Sequence, residues 1–314
     1  MKPNSRILLI APAYFGYYKM IMSVLEQQGY TVDFLEDKNS GLFYTICTKS
    51  YSLLKKYKER YQKEVLSKLD SVNYDCLLVI GGKTPNLDFW KHISESYTFK
   101  KILYQWDSFK NFDYRAMIPY FDVVKTFDSQ DAKELNIGYL PLFYKKPDKS
   151  DVVQDLDFVF IGIWHSNRIE ILNEIAKYAD AKGLKYHFRV FHPWYIHFYM
   201  VHLKKTLQAS VFFTSKTIPL GETVKYYKRA KCIVDINHPW QSGLTMRTIE
   251  TIGNGKKLLT TNSYIKSEPF YDPKMIQVID RENVTIDTSF FDFDVKYKDV
   301  ERLEISNWVK ELLN

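Results

Sequence analysis

The sequence has little cysteine and no long apolar run. Cys47, Cys76 and Cys232 stand far apart in 314 residues, so neither a disulfide framework nor a CxxC metal motif is present. Cys76 and Cys232 lie inside apolar strand-like runs and are expected to be inert core thiols. No apolar stretch reaches the roughly 18 residues of a membrane span, and the chain opens without a signal-peptide pattern. These absences predict a cytoplasmic protein.

Common nucleotide and metal motifs are missing too. No GxGxxG follows the first apolar run, which argues against a dinucleotide site. Gly82-Lys83-Thr84 resembles the end of a P-loop, but position 77, where the first glycine of that loop belongs, is leucine. His192, His197 and His202 recur every five residues, a spacing that puts them on different faces of a helix, and no HExxH occurs. We therefore expect no bound metal and no resident cofactor.

Positive charge and aromatic side chains are abundant. The formal net charge is +7, and there are 24 Tyr and 21 Phe. A positive excess favours an anionic partner such as a nucleotide diphosphate, a nucleic acid or an acidic membrane surface. The aromatic residues fit either a thick core or stacking on sugars and bases. Because the basic residues are spread over both halves with acids between them, and not along one stripe, we expect no nucleic-acid partner.

Short apolar runs alternate with helical patterns, which predicts parallel sheets wrapped by helices. One long basic helix is predicted over 44–69. A charged segment without aromatic residues, 145–155, is interpreted as a linker between domains 1–150 and 151–314, with the terminal helix able to cross back to the first domain. The predicted fold is α/β, with two Rossmann-like domains whose parallel sheets face an interdomain cleft. Ligands in such sheets bind outside the carboxyl ends of the strands.

The segment 238–257 reads as turn, helix, glycine stop and strand. A helix is predicted from about Thr245 to Ile252, and Ser242, Gly243, Leu244 and Thr245 lie where it begins. Backbone N–H groups and the positive end of the helix dipole would there face a diphosphate. Arg247 can add a charge-assisted bond to the same phosphates, and Glu250 can accept hydrogen bonds from ribose hydroxyls. The alternative is a plain cap by Ser242 or Thr245, with Glu250 in solvent.

This segment resembles the nucleotide-sugar motif of GT-B glycosyltransferases, in which a glycine-rich turn holds phosphate and a helix glutamate holds ribose. The nearest look-alikes are bacterial capsule and lipopolysaccharide transferases and CgeB-like proteins. The resemblance covers most of 158–280 and is only architectural in the N-terminal half. It implies a metal-independent transferase that moves a sugar from a UDP- or GDP-sugar to a glycan or a lipid-linked glycan.

The resemblance assigns two further donor-side residues. Arg168, after the strand-like run 158–162, matches the basic diphosphate ligand of the family; the alternative is a solvated residue at a helix start. Lys216 matches the region that borders the base. In many retaining members, a further glutamate lies eight positions before the glutamate that holds ribose. Counted back from Glu250, that position is 242, which is serine here. The stereochemical outcome therefore stays open.

The N-terminal half offers candidates for the acceptor side. Asp107, directly after a predicted strand, is the first candidate for a base that deprotonates the acceptor hydroxyl; the alternative is a helix cap. Asp37 is a weaker candidate. Tyr14, Gly16 and Tyr17 lie in the loop where this fold lines the acceptor, and the tyrosines can equally pack the first helix.

Two basic stretches bear on the cellular location. Between Lys49 and Lys68 there are seven Lys or Arg against two Glu, and 191–205 mixes aromatic and basic residues. Both can dock on an anionic membrane, where a lipid-linked acceptor is found; the alternative for the first is a helix packed on its own domain. Two other functions stay open: a sugar-nucleotide epimerase on the same fold, and a non-catalytic glycan- or nucleotide-binding protein.

Overall fold

The computed structural model describes residues 2, 4–13, 16–37, 42–146, 152–192, 194–199, 212–216 and 220–314. The chain divides into two compact units. Unit 1 comprises Met1–Leu142 and Arg302–Asn314, and unit 2 comprises Phe143–Glu301. Each unit has its own buried core around its own sheet.

Unit 1 contains a six-stranded parallel sheet of order β2-β1-β3-β4-β5-β6. Its first eleven elements are β1 (Arg6–Ala11), α1 (Tyr17–Gln27), β2 (Thr31–Glu36), α2 (Leu42–Cys47), α3 (Tyr51–Ser71), β3 (Cys76–Ile80), α4 (Leu87–Ser96), β4 (Lys100–Gln105), β5 (Val123–Thr126), α5 (Ser129–Leu135) and β6 (Gly138–Tyr139). The central strands β1 and β3 are apolar runs that are buried throughout, apart from Arg6 at the start of β1, as parallel sheets covered on both faces require.

Unit 2 contains a second six-stranded parallel sheet, of order β12-β11-β10-β7-β8-β9. Its elements are β7 (Leu156–Ile163), α6 (Arg168–Lys182), β8 (Tyr186–Phe191), α7 (Trp194–Phe198), β9 (Phe213–Thr214), α8 (Leu220–Arg229), β10 (Ala230–Asp235), α9 (Met246–Gly253), β11 (Lys257–Thr260) and β12 (Ile276–Val278). Short 3-10 turns occupy Arg115–Tyr120 in unit 1, Ser263–Ser267 and Thr288–Asp292 in unit 2, and Glu301–Leu303 where the chain returns to unit 1.

The last helix, α10 (Ile305–Leu313), belongs to unit 1. Trp308 is fully buried, stacks edge-on against Tyr104 at 5.0 Å between ring centroids, and donates its indole N–H to the carbonyl of Pro141 at 2.7 Å. The Nζ groups of Lys100 and Lys125 donate to carbonyls in the last turn of the helix, where cations are favoured.

The prediction of one helix over 44–69 is wrong, because the structure has two, α2 and α3. Ser50 between them is extended, with φ −139° and ψ 124°. The hydroxyl of Thr48 donates to the carbonyl of Thr45 at 2.8 Å, a local bond that competes with continuation of a helix. Helix α5 was not predicted, although Asp128 caps it by accepting from the amides of Gln130 and Asp131.

Candidate functional site

The chain reverses its order across the sheet of unit 2 between two neighbouring strands, β7 and β10. From β7 the connections run outward to β8 and β9, and from β10 they run the other way to β11 and β12. The loops 164–167 and 236–245 follow these two strands at the carboxyl edge. Such a switch point leaves a crevice between diverging loops, and ligands of open α/β sheets bind there.

Asp235, the last residue of β10, is the buried centre of this edge. Its carboxylate accepts from the hydroxyl of Thr245 at 2.8 Å, from the hydroxyl of Thr248 at 2.7 Å and from Arg247 at 2.7 Å. Burial alone would raise the pKa of Asp235, but Arg247 and the two hydroxyls outweigh burial and hold the pKa below its ordinary value. The ionised carboxylate fixes the start of α9 to the end of β10.

Arg247 was predicted to bind phosphate, and its guanidinium points into the sheet. Besides Asp235, it donates to the carbonyl of Ile161 at 2.7 Å and to the hydroxyl of Tyr227 at 3.1 Å, and 15% of its side chain is exposed. Gly162 makes this position possible, because a Cβ there would lie 2.7 Å from the nearest guanidinium nitrogen. A direct contact between Arg247 and phosphate stays a prediction.

Arg168, the second predicted phosphate ligand, links the two loops of the crevice. Its guanidinium donates to the carbonyl of Ile236 at 2.8 and 2.5 Å and to that of Ile163 at 2.5 Å. The side chain is buried, and burial, together with the charge of Arg247, lowers the pKa of Arg168 to about 9. The guanidinium groups of Arg168 and Arg247 lie 5.3 and 4.8 Å from the ring centroid of Phe160.

A third guanidinium, that of Arg281, was missed by sequence reasoning. It follows β12 and donates to the side-chain oxygens of Asn167 and Asn237, both at 2.9 Å. Burial lowers its pKa, while the charge of Asp235 acts in the opposite direction. A basic residue three positions after a strand was the available signal, but its partners Asn167 and Asn237 were not legible in the sequence.

His165 reports the electrostatic potential at this edge. Burial is the largest cause that lowers its pKa to about 4, and the charges of Arg168, His238, Arg281 and Arg247 lower it further. Three guanidinium groups thus surround one buried carboxylate, Asp235, and their positive excess acts on the crevice. An anionic ligand would neutralise it.

Side-chain amides bind the backbone carbonyls of the turn before α9. The side-chain nitrogen of Asn262 donates to the carbonyls of Ser242 and Gly243 at 3.1 and 3.3 Å, and Gln241 also donates to Gly243 at 2.9 Å. Leu244 is buried. Thr245 is the cap, and its hydroxyl accepts from the amide of Thr248 at 3.1 Å. The amides of the first turn, which have no acceptor within a helix, begin directly after it.

The rim of the crevice carries a short series of rings. The rings of His165 and His238 lie 5.3 Å apart, and those of His238 and Trp240 lie 5.2 Å apart. Trp240 is 73% exposed. Glu250 is half-buried, and its charge contributes to raising the pKa of Tyr227, so it lies on the side of α9 that faces Tyr227 and away from full solvation.

No protein-family model and no curated protein sequence matches the chain. Solved structures do match it. The lipopolysaccharide outer core galactosyltransferase WaaB in its apo form has a TM-score of 0.55 at 12% identity, with 98% of each chain covered. The UDP-GlcNAc 2-epimerase of Methanocaldococcus jannaschii, in complex with UDP-GlcNAc and UDP, has a TM-score of 0.58 at 10% identity, covering 98% of this chain and 99% of that one. The epimerase of Neisseria meningitidis, bound to UDP-GlcNAc, has 0.56 at 9%, with 98% of each covered.

The chain has the GT-B fold. The predicted fold class, two Rossmann-like units with parallel sheets, is confirmed. In the GT-B fold of this chain, Lys216 follows β9, two strands away from β7 along the edge of unit 2. Among the described residues, no contact joins Lys216 to the group around Asp235, and its proposed contact with a base stays a prediction.

Unit 1 of the GT-B fold has its own switch point, between β1 and β3. Asp107, which follows β4, is in ion-pair contact with the Nζ of Lys83 at 2.5 Å, and 34% of its side chain is exposed. The alternative interpretation of Asp107 as a cap is wrong, because the amide of Phe109 donates to Asp131 instead. Sequence reasoning missed Lys83, which had been considered only as part of a P-loop.

The remaining predicted residues of unit 1 have different environments. Asp37 is buried and accepts from the amides of Lys83 and Thr84 at 2.9 and 3.0 Å, and burial raises its pKa. Gly16 caps α1 with φ 74°, a conformation that suits glycine, and Tyr17 is the first helical residue. Tyr14 lies outside the described residues.

Neither a metal-binding cluster nor a membrane-spanning helix is present within the described ranges. No group of three or more His, Cys, Asp or Glu side chains there is arranged to hold a metal ion. In the same part of the chain, no helix combines the length and apolar character needed to cross a bilayer. His192 follows a strand and is buried, the side chain of His197 is not among those described, and His202 lies outside the described residues.

Proposed function

We propose that the chain is a glycosyltransferase that takes a sugar from a UDP- or GDP-linked donor and passes it to a glycan or lipid-linked glycan of a surface polysaccharide. The observation that carries this proposal is the excess of positive charge at the switch point of unit 2. Arg168, Arg247 and Arg281 surround the buried carboxylate of Asp235 beside the first turn of α9. A diphosphate carries the negative charge that this site lacks. The amides of the first turn of α9 offer hydrogen-bond donors to that diphosphate.

The donor diphosphate is proposed to lie over the first turn of α9. Arg168 and Arg247 act there mainly through their charge, because their nitrogens already bind the chain. Glu250 accepts from the ribose hydroxyls. As the bond between the anomeric carbon and the diphosphate oxygen breaks, negative charge grows on that oxygen, and fixed positive groups in a partly buried site stabilise it. We propose that no metal is needed for this step.

Trp240 is proposed to stack on a ring of the donor. An indole that is 73% exposed at the rim of a charged crevice presents a large apolar face to a ligand, and aromatic faces bind sugar rings and bases. The ring of His238 packs against that of Trp240, with 5.2 Å between the ring centroids. This assignment adds a contact for the uncharged part of the donor to the contacts for its phosphates.

The acceptor hydroxyl must lose a proton as the new glycosidic bond forms. Asp107 is the proposed base, because it stands at the carboxyl edge of unit 1 and is one-third exposed. We expect Asp107→Asn to lower kcat by about a hundredfold and to leave nucleotide affinity unchanged. Asp113→Asn is the control, because Asp113 is exposed and pairs only with Arg115 among the described side chains.

Calorimetric titration with UDP and GDP tests the donor site. Glu250→Gln removes the charged acceptor for the ribose and is expected to weaken binding of the preferred nucleotide by about tenfold to a hundredfold. Glu174→Gln makes the same chemical change on an exposed position of α6 and is expected to bind normally. Arg247→Ala is a poor test, because leaving Asp235 buried and unpaired costs about 3–5 kcal/mol of stability. If neither nucleotide binds the parent protein, the proposal fails.

Product analysis separates the transferase from an epimerase, because both occur among the structures with this fold. The nucleotide sugar that binds best is incubated with and without a glycan acceptor. A transferase releases nucleoside diphosphate in proportion to glycosylated acceptor. An epimerase converts the nucleotide sugar alone into a second nucleotide sugar, and that result would replace the proposal.

A further inference from the structure

The loop that follows β3 depends on two glycines. Gly81 and Gly82 have φ values of 84° and 73°, in the left-handed region that favours glycine. A Cβ on Gly82 would also lie 2.9 Å from the side chain of Val79 and 3.2 Å from that of Trp90. The end of β3 therefore accepts glycine at both positions and little else, and Lys83 follows them directly.

Two buried polar side chains bind the backbone of this loop. Asp37, after β2, is 1% exposed and accepts from the amide of Lys83 with Oδ2 at 2.9 Å and from that of Thr84 with Oδ1 at 3.0 Å. Gln105, the last residue of β4, donates to the carbonyl of Gly81 at 2.7 Å. Because Asp37 is buried and both of its oxygens bind loop amides, its carboxylate is poorly placed to take a proton from a substrate.

The side chain of Lys83 reaches from this loop to Asp107, which follows β4. Its Nζ lies 2.5 Å from Oδ2 of Asp107 and 5.3 Å from the ring centroid of Phe112. Among the described residues, no second hydrogen bond or ion pair reaches the Asp107 carboxylate, so the lone pairs of Oδ1 stay available. The side chains of Lys83 and Asp107 are 28% and 34% exposed, which leaves the pair open to a ligand.

We propose that Asp37 and Lys83 are positioning residues for Asp107. Asp37 fixes the loop, and Lys83 binds Oδ2, so that the carboxylate keeps one orientation and Oδ1 is left for the acceptor proton. In the transfer step, the acceptor oxygen bonds to the anomeric carbon and gives its proton to Asp107, while the diphosphate leaves with the electron pair of the broken bond. A base that is already oriented avoids an entropic cost in that step. This role rests on the proposed function, in which Asp107 is the base.

Steady-state kinetics of the whole chain tests this role. The donor is the UDP- or GDP-sugar that product analysis selects, and the acceptor probes are n-octyl β-glucoside, n-octyl β-galactoside and n-octyl N-acetyl-β-glucosaminide. Lys83→Ala should lower kcat by about tenfold to a hundredfold, because a small misplacement of a reacting group costs that much, and should leave nucleotide affinity unchanged. Lys83→Arg keeps a cationic donor and should retain most of kcat. Lys91→Ala, which removes a lysine that pairs with Glu95 at 4.0 Å on α4, is the control and should match the parent.

Chemical rescue distinguishes positioning from a merely structural role. Propylammonium replaces the part of the side chain that Lys83→Ala removes, and it should restore kcat severalfold. Tetramethylammonium carries the same charge without an N–H donor and should restore nothing. Lys83→Ala combined with Asp107→Asn should be no slower than Asp107→Asn alone, because the two changes act on one carboxylate.

Asp37→Asn tests the link between Asp37 and the loop. The amide keeps one acceptor oxygen, so one of the two loop amides loses its partner, and kcat should fall about tenfold. Propylammonium should not rescue this variant, because Lys83 is still present. Since Asp37 is buried, circular dichroism checks the fold of the variant, and the Lys83 variants decide the outcome if it unfolds.

The positioning role is overturned if Lys83→Ala keeps the kcat of the parent. It is also overturned if the double variant multiplies the two losses, since Lys83 would then act independently of Asp107, or if Asp107→Asn is fully active. In these three cases the parent still transfers sugar, and the proposed function stands. If the parent transfers sugar to no acceptor, the proposed function fails and the positioning role fails with it.

Discussion

Arginine side chains in unit 2 connect segments that are distant in sequence. Arg168 binds the carbonyl of Ile236, and Arg247 binds that of Ile161. A guanidinium presents several donors in one rigid plane, so it can bind carbonyls and a carboxylate at once, which the ammonium group of lysine does less well. These residues therefore shape the crevice in addition to charging it.

Gly162→Ala tests how closely Arg247 is packed. The new Cβ would lie 2.7 Å from a guanidinium nitrogen and 3.0 Å from the ring of Phe160. We expect a loss of about 1–3 kcal/mol in the free energy of unfolding, measured by denaturant titration. Gly221→Ala in α8 is the control: nothing lies within 4 Å of its added Cβ, and stability should stay equal or rise slightly. Equal free energies of unfolding for the two variants would show that the structure relieves the contact between the added Cβ and Arg247 without losing stability.

The pKa of His165 gives a pH test of the positive potential. With a folded pKa of about 4 against an ordinary 6.5, the unfolded chain takes up a proton that the folded chain resists. His165 therefore lowers stability as the pH falls from 6.5 towards 4, and His165→Gln should remove that part of the pH dependence. An NMR titration should find the midpoint near 4 and a higher midpoint when UDP is bound, because an anion favours the imidazolium. A midpoint that UDP does not move would place the anion elsewhere.

At the scale of elements, α9 is a short helix whose position depends on its first residues. It spans eight residues, and isolated helices of this length are not stable in water. Thr245 performs two tasks, capping the amide of Thr248 and donating to Asp235. The same hydroxyl thus starts the helix and joins it to β10.

Thr245→Ala is expected to lower the free energy of unfolding by about 1–2 kcal/mol, the range found for lost caps. Thr245→Ser keeps a hydroxyl and should retain most of the stability. Denaturant titration gives the difference, and hydrogen exchange should show the amides of α9 opening first in the alanine variant. If alanine and serine variants are equally stable, the hydroxyl contributes nothing and packing alone positions the helix.

At the scale of the whole molecule, the two units have separate cores, and the chain returns to the first unit at its end. Helix α10 completes unit 1 with Trp308, which is fully buried against Tyr104 and bonded to Pro141. The stability of unit 1 therefore depends on both ends of the sequence, whereas unit 2 is one continuous segment.

Trp308→Ala should destabilise unit 1 by about 3–5 kcal/mol, through the lost apolar burial and the cavity left behind. Hydrogen exchange measured by mass spectrometry should show faster exchange in the strands of unit 1 and unchanged exchange in those of unit 2. Trp240→Ala, which removes an exposed indole, is the control and should alter neither. Equal loss of protection in both units would mean that they unfold as one.

The sequence by itself determined the class of fold and the position of most strands, because buried parallel strands are short apolar runs that are visible locally. It also placed the start of α9 correctly, since a capping threonine and a glycine stop act over a few residues. It did not show the break at 48–50, where one hydroxyl bond and one extended residue decide between one helix and two.

Only the tertiary structure decided what the charged residues do. Arg168 and its acceptor Ile236 are separated by 68 positions, and Arg247 and Ile161 by 86. No local pattern encodes such pairings, because they arise from the strand order, which places β7 beside β10. The fold of unit 2 also brings Arg281, which follows β12, to the side chains of Asn167 and Asn237. Spacing along the chain can nominate a charged residue, but the neighbouring strand determines its partner.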